Sequence, residues 1–181
     1  VEDGGPDNSW EKIEENCKKN SHVKGVKLSR NFGQHYAITA GISKASGDYI
    51  VLMDCDLQDD PAYINLLIQE IQKGYEIVFT SRKERKHGLI KRMNSAIYNW
   101  LFEIFSEKKY NINAGSLVLF TQKVAVHFLS LKDKDRLYIQ LLKWVGFPTT
   151  TIEVEHKARY AGESSYNFIT LLKLGLQGWT S

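Results

Sequence analysis

Residues 46–61 read SGDYIVLMDCDLQDDP, and this stretch decides the fold. Its first half is a continuous apolar run, Tyr49 to Met53, which lies between Gly47-Asp48 and Asp54. A short apolar run between turn residues is typical of a strand buried in a parallel sheet. The second half is rich in carboxylates and ends at Pro61, a residue that favours the first turn of a helix. The stretch therefore predicts a strand, an acidic turn and a helix in succession.

Strand and helix patterns alternate on both sides of this stretch. Candidate caps at Asp7-Asn8-Ser9 precede the first helix, and Gly74 follows the third one, whose apolar face is Ile64, Leu67, Ile68 and Ile71. This alternation predicts an α/β fold with a mainly parallel sheet. In order, the elements predicted up to Thr80 are a helix over 10–20, a half-buried strand over 22–28, a helix over 33–46, a strand over 49–53, a helix from 61 and a strand over 75–80.

The chain changes character after Ser81. Residues 82–92 hold six Lys or Arg and a single acid, Glu84. Beyond this basic segment the patterns predict a long helix over 89–105, a strand over 116–120, two short helices, a strand over 149–154 and a helical apolar stripe over 167–179.

Composition narrows the class of protein. The 181 residues are 43% hydrophobic and 25% charged, which is typical of a single globular domain. A net charge of +3 is too small to indicate nucleic acid, and we expect no such partner.

The isolated Cys17 and Cys55 form neither a disulfide framework nor a zinc motif, which favours a reducing compartment. No run approaches the roughly 18 apolar residues of a membrane span, and no secretory signal opens the chain.

The acidic turn carries the clearest chemical signal. Asp54, Asp56 and Gln58 alternate along the chain directly after the strand, so their side chains converge if the backbone stays extended. Ligands of open α/β sheets bind at the carboxyl ends of strands. Oxygen ligands of this kind suit Mg²⁺ or Mn²⁺, which can bridge a carboxylate and a diphosphate. The plainer interpretation is an acidic helix N-terminus ahead of Pro61, where aspartates favour the helix dipole.

The segment 46–61 resembles the aspartate-x-aspartate turn of family 2 glycosyltransferases with a GT-A fold, most closely the polyprenyl-phosphate branch that includes dolichyl-phosphate mannose synthase and bactoprenol glucosyltransferases. VEDGGPDNSW, residues 1–10, resembles the nucleotide-contacting turn of that family, and residues 28–50 resemble the helix that leads into its metal strand. Matches in the same order run over nearly the whole chain. The resemblance implies a Rossmann-like, mainly parallel sheet flanked by helices, without its N-terminal strands in this chain.

The resemblance also implies a donor site. It implies that Glu2 and Asp3 lie near the base and ribose, and that Arg30 and Asn31 lie near the nucleotide. It implies, further, that the metal and the donor diphosphate are held by Asp54, Asp56 and Gln58, with Asp56 essential for catalysis.

The basic segment is the candidate acceptor site. Its plain interpretation is a solvated surface loop. The resemblance instead assigns recognition of an acceptor phosphate to basic residues here, and the planar fork of arginine suits that task. We expect Arg82 and Arg92 to act in catalysis, with Lys91 and Arg159 also binding the phosphate. Arg159 opens RYAGESSYNF, which resembles a second family motif but has Ser165 where many relatives carry lysine.

The chain departs from the family pattern at the start of the strand predicted over 116–120. Asn113 and Ser116 stand where many members have aspartates, and Val118 stands where arginine is common. A hydroxyl acceptor must lose a proton, whereas a phosphate monoester is already anionic near pH 7, its second pKa being about 6. The departure therefore favours a phosphate acceptor, although it is also compatible with a weakened enzyme.

Three functions remain open from the sequence. The first is an inverting, metal-dependent transfer of a sugar from a nucleotide to a polyprenyl (undecaprenyl) phosphate. The second keeps the donor site but uses a saccharide hydroxyl, for which Asp59 and Asp60 are the local candidate bases. The third is a non-catalytic module that binds nucleotide or anionic lipid through residues 82–92. A dinucleotide dehydrogenase is disfavoured because no G-x-G-x-x-G follows a strand.

The predicted organisation is a GT-A domain over 1–164, incomplete at its N-terminus because VEDGG resembles the end of a strand and its turn. Residues 165–181 are predicted to form an amphipathic juxtamembrane helix that leads toward absent membrane spans, with an ordinary core-facing helix as the alternative. We expect a soluble catalytic part that meets the cytoplasmic face of the inner membrane. Homo-oligomerisation is left open.

Overall fold

The structure is a computed structural model that describes residues 1–82, 114–133 and 137–155. Its residues fall into two compact units. The first unit comprises Val1–Ile50 and Thr121–Phe147, and the second contains the other described residues, from Val51 to Phe120 and from Pro148 onward. The described elements are α1 (Ser9–Lys19), α2 (Gln34–Lys44), β1 (Tyr49–Leu52), α3 (Tyr63–Gln72), β2 (Ile77–Arg82), β3 (Ala114–Thr121), α4 (Gln122–Ser130), α5 (Tyr138–Trp144) and β4 (Thr149–Val154).

The order of elements confirms most of the sequence-based predictions, because each of the nine described helices and strands lies where the sequence predicted one. The α/β class is therefore correct. The helix predicted over 89–105 and the apolar stripe over 167–179 lie outside the described residues. None of the helices in the described ranges has the length and hydropathy needed to cross a membrane.

The described strands form one sheet in the order β1-β3-β2-β4. Strand β2 runs parallel to β4 and antiparallel to β3, so the sheet is mixed rather than uniformly parallel. The prediction that the 49–53 run is the most buried strand was wrong. Tyr49 is 46% exposed, because β1 lies at one edge of the described sheet, whereas the interior strand β2 buries Ile77, Val78 and Phe79.

The core of the second unit packs α3 against the sheet. Leu67 and Ile71, two members of the predicted apolar face, cluster with Val78 of β2 and with Leu117 and Leu119 of β3. Burying a side chain of this size contributes about 1.5–3 kcal/mol. The helix ends where Gly74 takes a φ of 101°, a conformation that favours glycine.

A bulge interrupts the pairing of β2 with β3. Phe79 lies opposite Val118 and Ser81 lies opposite Ala114, so three residues of β3 face Thr80 alone. The buried Thr80 hydroxyl donates to the Leu117 carbonyl at 2.7 Å and thereby satisfies an acceptor within the bulge. A Cβ on Gly115 would lie 2.2 Å from that hydroxyl oxygen. Glycine at 115 therefore makes room for Thr80.

Helices dominate the first unit, where α2 packs against α4 and α5. Among the described residues, its buried apolar side chains are Ile42, Ile50, Val124, Ala125, Phe128, Tyr138, Leu141 and Leu142. The strand predicted over 22–28 is absent from the described structure except for an isolated parallel bridge between Glu2 and Lys27. A strand requires a run of paired backbone groups. Within the described ranges, the bridge to this segment consists of two hydrogen bonds, from the Glu2 N–H to the Val26 carbonyl and from the Leu28 N–H to the Glu2 carbonyl.

Substituting Gly115→Ala is expected to lower the free energy of unfolding of the full-length protein by about 1–3 kcal/mol, because the added methyl overpacks the bulge. Chemical denaturation measures this loss. In a Thr80→Ala background the same change should cost clearly less, since the clashing hydroxyl is gone. Equal costs in both backgrounds would contradict the packing described for the bulge.

His35 gives the first unit a dependence on pH. Its ring centroid lies 5.7 Å from that of Tyr138, and its Nδ1 is buried with no hydrogen-bond partner among the described residues. Burial lowers the pKa of His35 below its ordinary value of 6.5. The unfolded chain therefore binds the proton more readily, and the free energy of unfolding should fall as the pH drops below 6.5.

The His35→Phe variant should show a flatter dependence of unfolding free energy on pH than the wild type, because it has no imidazole to protonate. Denaturant titrations above and below pH 6.5 measure the slope. The matched control is His22→Phe, since His22 is exposed and should leave the slope unchanged. An unchanged slope in the His35 variant would refute the assignment.

Candidate active site

The first unit brings together the residues predicted to contact the nucleotide. The turn that begins at Glu2 approaches the Arg30–Asn31 backbone so closely that a Cβ on Gly4 would lie 2.5 Å from the Arg30 carbonyl carbon. Gly4 has a φ of 66° and so combines a left-handed conformation with this close approach. The VEDGG segment and the SRN segment therefore lie side by side and form one surface of the first unit.

Both carboxylates of this surface bind backbone N–H groups. The two oxygens of Asp3 accept hydrogen bonds from the N–H groups of Phe32 and Gly33, each at 2.9 Å, immediately before α2 begins. Glu2 is only 7% exposed, and its Oε1 accepts from the N–H of Gly5. The two carboxylates thus fix the backbone of this surface. Their predicted contacts with base and ribose remain predictions.

Arg30 and Asn31 are exposed on this surface. The Arg30 guanidinium carbon lies 4.4 Å from the ring centroid of Phe32, a cation–π geometry, and Phe32 in turn lies 6.4 Å from Tyr36. Both rings are exposed. These two aromatic residues were not predicted to belong to the donor surface. Phe32 follows Arg30 by two residues and Tyr36 follows Phe32 by four, and this spacing could have indicated that they lie near Arg30.

The acidic turn belongs to the second unit. Asp54, Asp56 and Gln58 are half-buried, whereas Met53, Cys55 and Leu57 between them are exposed. The backbone nevertheless does not stay extended, because it turns at Cys55 and Asp56 and Leu57 has a φ of 61°. The condition of an extended backbone is therefore not met, although all three side chains are half-buried. Within the turn, Asp56 accepts a hydrogen bond from the Gln58 N–H at 3.2 Å.

Two further aspartates connect the turn to its surroundings. Asp60 accepts from the Ala62 N–H at 3.0 Å, just ahead of α3. Asp59 is only 5% exposed, and its Oδ2 accepts from the hydroxyl of Ser116 on β3 at 2.6 Å. Both carboxylates are therefore engaged in holding the turn, which weakens their candidacy as catalytic bases. The link between Asp59 and Ser116 joins residues 57 positions apart, and sequence reasoning did not find it.

The donor set of the turn suits a hard cation. Asp54, Asp56 and Gln58 offer only carboxylate and amide oxygens, the ligands preferred by Mg²⁺ and Mn²⁺. In the described ranges no group of three or more His, Cys, Asp or Glu side chains is arranged to hold a metal ion. The residues therefore fit a cation that takes one or two carboxylates from the protein and its remaining ligands from substrate phosphates and water.

Most of the predicted acceptor residues cannot be placed. Arg82 is the last residue of β2, and its backbone pairs with Val154 of β4. Lys91, Arg92, Arg159 and Asn113 lie outside the described residues. Val118, where the family pattern often has arginine, is fully buried in β3.

Comparisons with known proteins identify the family. The profile of glycosyl transferase family 2 matches residues 1–130. An uncharacterized glycosyltransferase of Bacillus subtilis, YkcC, is 36% identical over 100% of this chain and 56% of its own length. The undecaprenyl-phosphate 4-deoxy-4-formamido-L-arabinose transferase of Shewanella sediminis is 33% identical over 96% of this chain and 53% of its own length. The chain thus spans about half the length of the curated relatives it matches.

The fold is shared with solved enzymes. Glucosyl-3-phosphoglycerate synthase of Mycobacterium tuberculosis, in complex with Mn²⁺, UDP-glucose and phosphoglyceric acid, matches with a TM-score of 0.60 over 97% of this chain and 64% of that chain. At 15% identity this match concerns the fold alone. It confirms the predicted GT-A fold, and the undecaprenyl-phosphate relatives confirm the resemblance to the polyprenyl-phosphate branch. The chain belongs to glycosyltransferase family 2.

Proposed function

We propose that the chain is the catalytic part of a metal-dependent, inverting glycosyltransferase that moves a sugar from a nucleotide to a polyprenyl phosphate. The observation that carries this proposal is the acidic turn after β1, in which Asp54, Asp56 and Gln58 are half-buried together. Membership of family 2 and relatives named as undecaprenyl-phosphate transferases support it.

Donor binding is proposed on the surface that joins residues 2–5 to residues 30–33. Asp3 accepts hydrogen bonds from the backbone N–H groups of Phe32 and Gly33. Arg30 and Asn31, which directly precede these residues, are exposed. An arginine with free N–H groups suits phosphate, and exposed rings suit a nucleobase. Solved structures of the same fold contain UDP-glucose, which supports a nucleotide-sugar donor.

Divalent cation binding is proposed at Asp54, Asp56 and Gln58. When bound, Mg²⁺ or Mn²⁺ supplies neutralisation of the charge that develops on the departing diphosphate. The presence of Mn²⁺ in glucosyl-3-phosphoglycerate synthase supports this assignment. The part played by the chain itself is to keep two carboxylates half-buried at the edge of the sheet, where they are partly shielded from water.

A phosphate acceptor fits the remaining side chains better than a hydroxyl acceptor does. A hydroxyl needs a base, and the two local candidates, Asp59 and Asp60, are engaged with Ser116 and with the Ala62 N–H. A phosphate monoester is already anionic near pH 7, with a second pKa of about 6. It needs orientation and charge neutralisation, for which we propose Arg82, Lys91, Arg92 and Arg159.

The proposed reaction is a single displacement. An oxygen of the lipid phosphate forms a bond to the anomeric carbon, while the bond from that carbon to the nucleotide diphosphate breaks. The diphosphate leaves with the electron pair, and the configuration at the anomeric carbon inverts. No proton transfer is required. We place the reaction at the cytoplasmic membrane face because the acceptor is a lipid, and we leave open whether the enzyme forms homo-oligomers.

The function is tested with the full-length protein, a panel of nucleotide sugars, Mg²⁺ or Mn²⁺, and either undecaprenyl phosphate or a saccharide acceptor. We expect a sugar-linked lipid phosphate with at least one donor, detected by mass spectrometry, and loss of the product with EDTA. Sugar transfer to the saccharide alone would favour the hydroxyl acceptor. Folded protein that binds nucleotide but transfers no sugar to either acceptor would refute the proposal.

Replacing a proposed cation ligand should abolish most of the activity. We expect Asp56→Asn to lower kcat on the order of 10²–10³-fold, the range seen when one electrostatic stabiliser of a transition state is removed. Initial rates at saturating donor measure the effect. Asp133→Asn is the matched control, since it makes the same charge change at an exposed residue outside the turn. Full activity in Asp56→Asn would exclude this carboxylate as a ligand.

The donor surface predicts a different phenotype. In Asp3→Asn a neutral amide with a single acceptor oxygen replaces the carboxylate, so it cannot accept hydrogen bonds from both N–H groups in this arrangement. We therefore expect the free energy of unfolding to fall by about 1–3 kcal/mol and the KM for the donor to rise. Denaturation and donor titration measure the two effects. Asp133→Asn is again the control, because it makes the same charge change at an exposed residue outside residues 1–10 and 30–33. A stability loss with unchanged donor KM would restrict Asp3 to a structural role.

A further inference from the structure

The contact between Asp59 and Ser116 stands out within the second unit. Asp59 is only 5% exposed, and a hydroxyl donor 2.6 Å from its Oδ2 has the short length typical of a charge-assisted hydrogen bond. A carboxylate is rarely buried to this extent unless specific donors hold it. The contact crosses from the acidic turn to β3 and is therefore a tertiary anchor rather than a local cap.

The bulge in β3 explains why Ser116 is available for this contact. Between the pairs Phe79–Val118 and Ser81–Ala114, β3 has two more residues than β2. Bulges bend the strand locally and re-aim side chains, and they are common beside active sites. Ser116 is the middle residue of the three that face Thr80, and it is half-buried whereas its neighbours Gly115 and Leu117 are buried.

The bulge itself is stabilised from the opposite strand. The Thr80 hydroxyl donates to the Leu117 carbonyl, and Gly115 leaves the space that this hydroxyl occupies. The polar arrangement thus runs from Thr80 on β2, through the bulge on β3, to Asp59 on the acidic turn. Every step in it joins described residues of the second unit.

Asp59 lies one residue after Gln58 and three after Asp56. The turn is continuous with β1 on one side, and Asp59 attaches it to β3 on the other. Leu57, between these points, has a φ of 61°, an uncommon conformation for a leucine that persists only when the surrounding structure holds it. An attachment immediately beyond Leu57 is what such a turn requires.

We propose that Asp59 and Ser116 are positioning residues that hold the acidic turn in the geometry needed to bind a divalent cation with a nucleotide diphosphate. The inference rests on the proposed function, since it assigns the cation to Asp54 and Asp56. Neither Asp59 nor Ser116 is a ligand in this scheme. They act through the backbone of the turn. Loss of their contact therefore weakens cation binding while the protein stays folded.

The test uses the full-length protein and two probes, Mn²⁺ alone and Mn²⁺ with UDP or GDP. Binding is followed by the loss of the free-Mn²⁺ signal in electron paramagnetic resonance, and thermal unfolding is recorded in parallel. We expect Ser116→Ala to weaken Mn²⁺ binding in the presence of nucleotide by about 10–100-fold, the range found for residues that orient metal ligands. Ser116→Thr, which retains the hydroxyl, should bind like the wild type.

A matched control separates this effect from the general loss of a serine hydroxyl. Ser130→Ala removes a hydroxyl that donates to the His127 carbonyl at 2.7 Å, at the exposed end of α4. It should leave Mn²⁺ binding unchanged. If Ser116→Ala does not fold, Asp59→Asn serves instead, since its amide oxygen still accepts from Ser116 without the charge. Asp59→Asn should weaken Mn²⁺ binding in the presence of nucleotide by a smaller factor than Ser116→Ala does.

The outcomes distinguish this inference from the proposed function. Wild-type Mn²⁺ affinity in folded Ser116→Ala, or equal losses in Ser116→Ala and Ser130→Ala, would overturn the positioning role. A wild-type protein that binds Mn²⁺ with nucleotide but makes no sugar-lipid would refute the proposed transfer. The positioning role would then be decided by the Mn²⁺ affinities of the Ser116→Ala and Ser130→Ala variants. A wild type that binds no Mn²⁺ with either nucleotide would overturn both.

Discussion

Hydrogen bonds to carboxylates that are partly or wholly removed from water fix the irregular turns of this chain. Removing a carboxylate from water is costly unless N–H or O–H groups replace the lost hydration. Asp3 obtains two backbone N–H groups from residues 29 and 30 positions away, and Asp59 obtains the Ser116 hydroxyl from a different strand. Each such contact fastens an irregular turn to a helix or a strand. The turns proposed to hold ligands are thereby given defined positions within their own units.

The same constraint divides the acidic residues into two groups. Asp3, Asp59 and Asp60 direct carboxylate oxygens at backbone or hydroxyl donors and hold the turns. Asp54 and Asp56 are half-buried in the turn itself and are the proposed cation ligands, and Asp56 also accepts a hydrogen bond from the Gln58 N–H. A cation that takes only a few ligands from the protein needs those ligands to be held in place, because the protein does not form a closed cage around it. Within the second unit, Asp59 and Asp60 therefore support Asp54 and Asp56.

The sequence predicted the elements of the fold more reliably than their environment. Helices α1, α2 and α3 follow from periodic apolar positions, and Gly74 marks an end where positive φ is required. The burial of β1 was overestimated because an apolar run does not reveal whether a strand is interior or at an edge. The strand over 22–28 failed for a related reason, since alternation shows only that a segment can pair, and within the described ranges it forms an isolated bridge to Glu2.

The site was predicted where chemistry is local in sequence and missed where it is not. The family resemblance and the spacing of Asp54, Asp56 and Gln58 identified the turn, and the approach of Gly4 to Arg30 agrees with the implied donor surface. The anchor between Asp59 and Ser116 depends on a bulge, and a bulge arises from the register of two strands. No periodicity within either segment encodes that register, so this contact could be found only in the structure.

This anchor gives a physical reason for one departure from the family pattern. An aspartate at position 116 would place a second carboxylate within hydrogen-bond distance of Asp59, which is 5% exposed. Two like charges in such a setting are strongly unfavourable unless one is protonated. A serine instead supplies the donor that Asp59 needs. The residues at positions 59 and 116 are therefore physically coupled in this chain, because the buried carboxylate at 59 is compatible with a hydroxyl donor at 116 and not with a second charge.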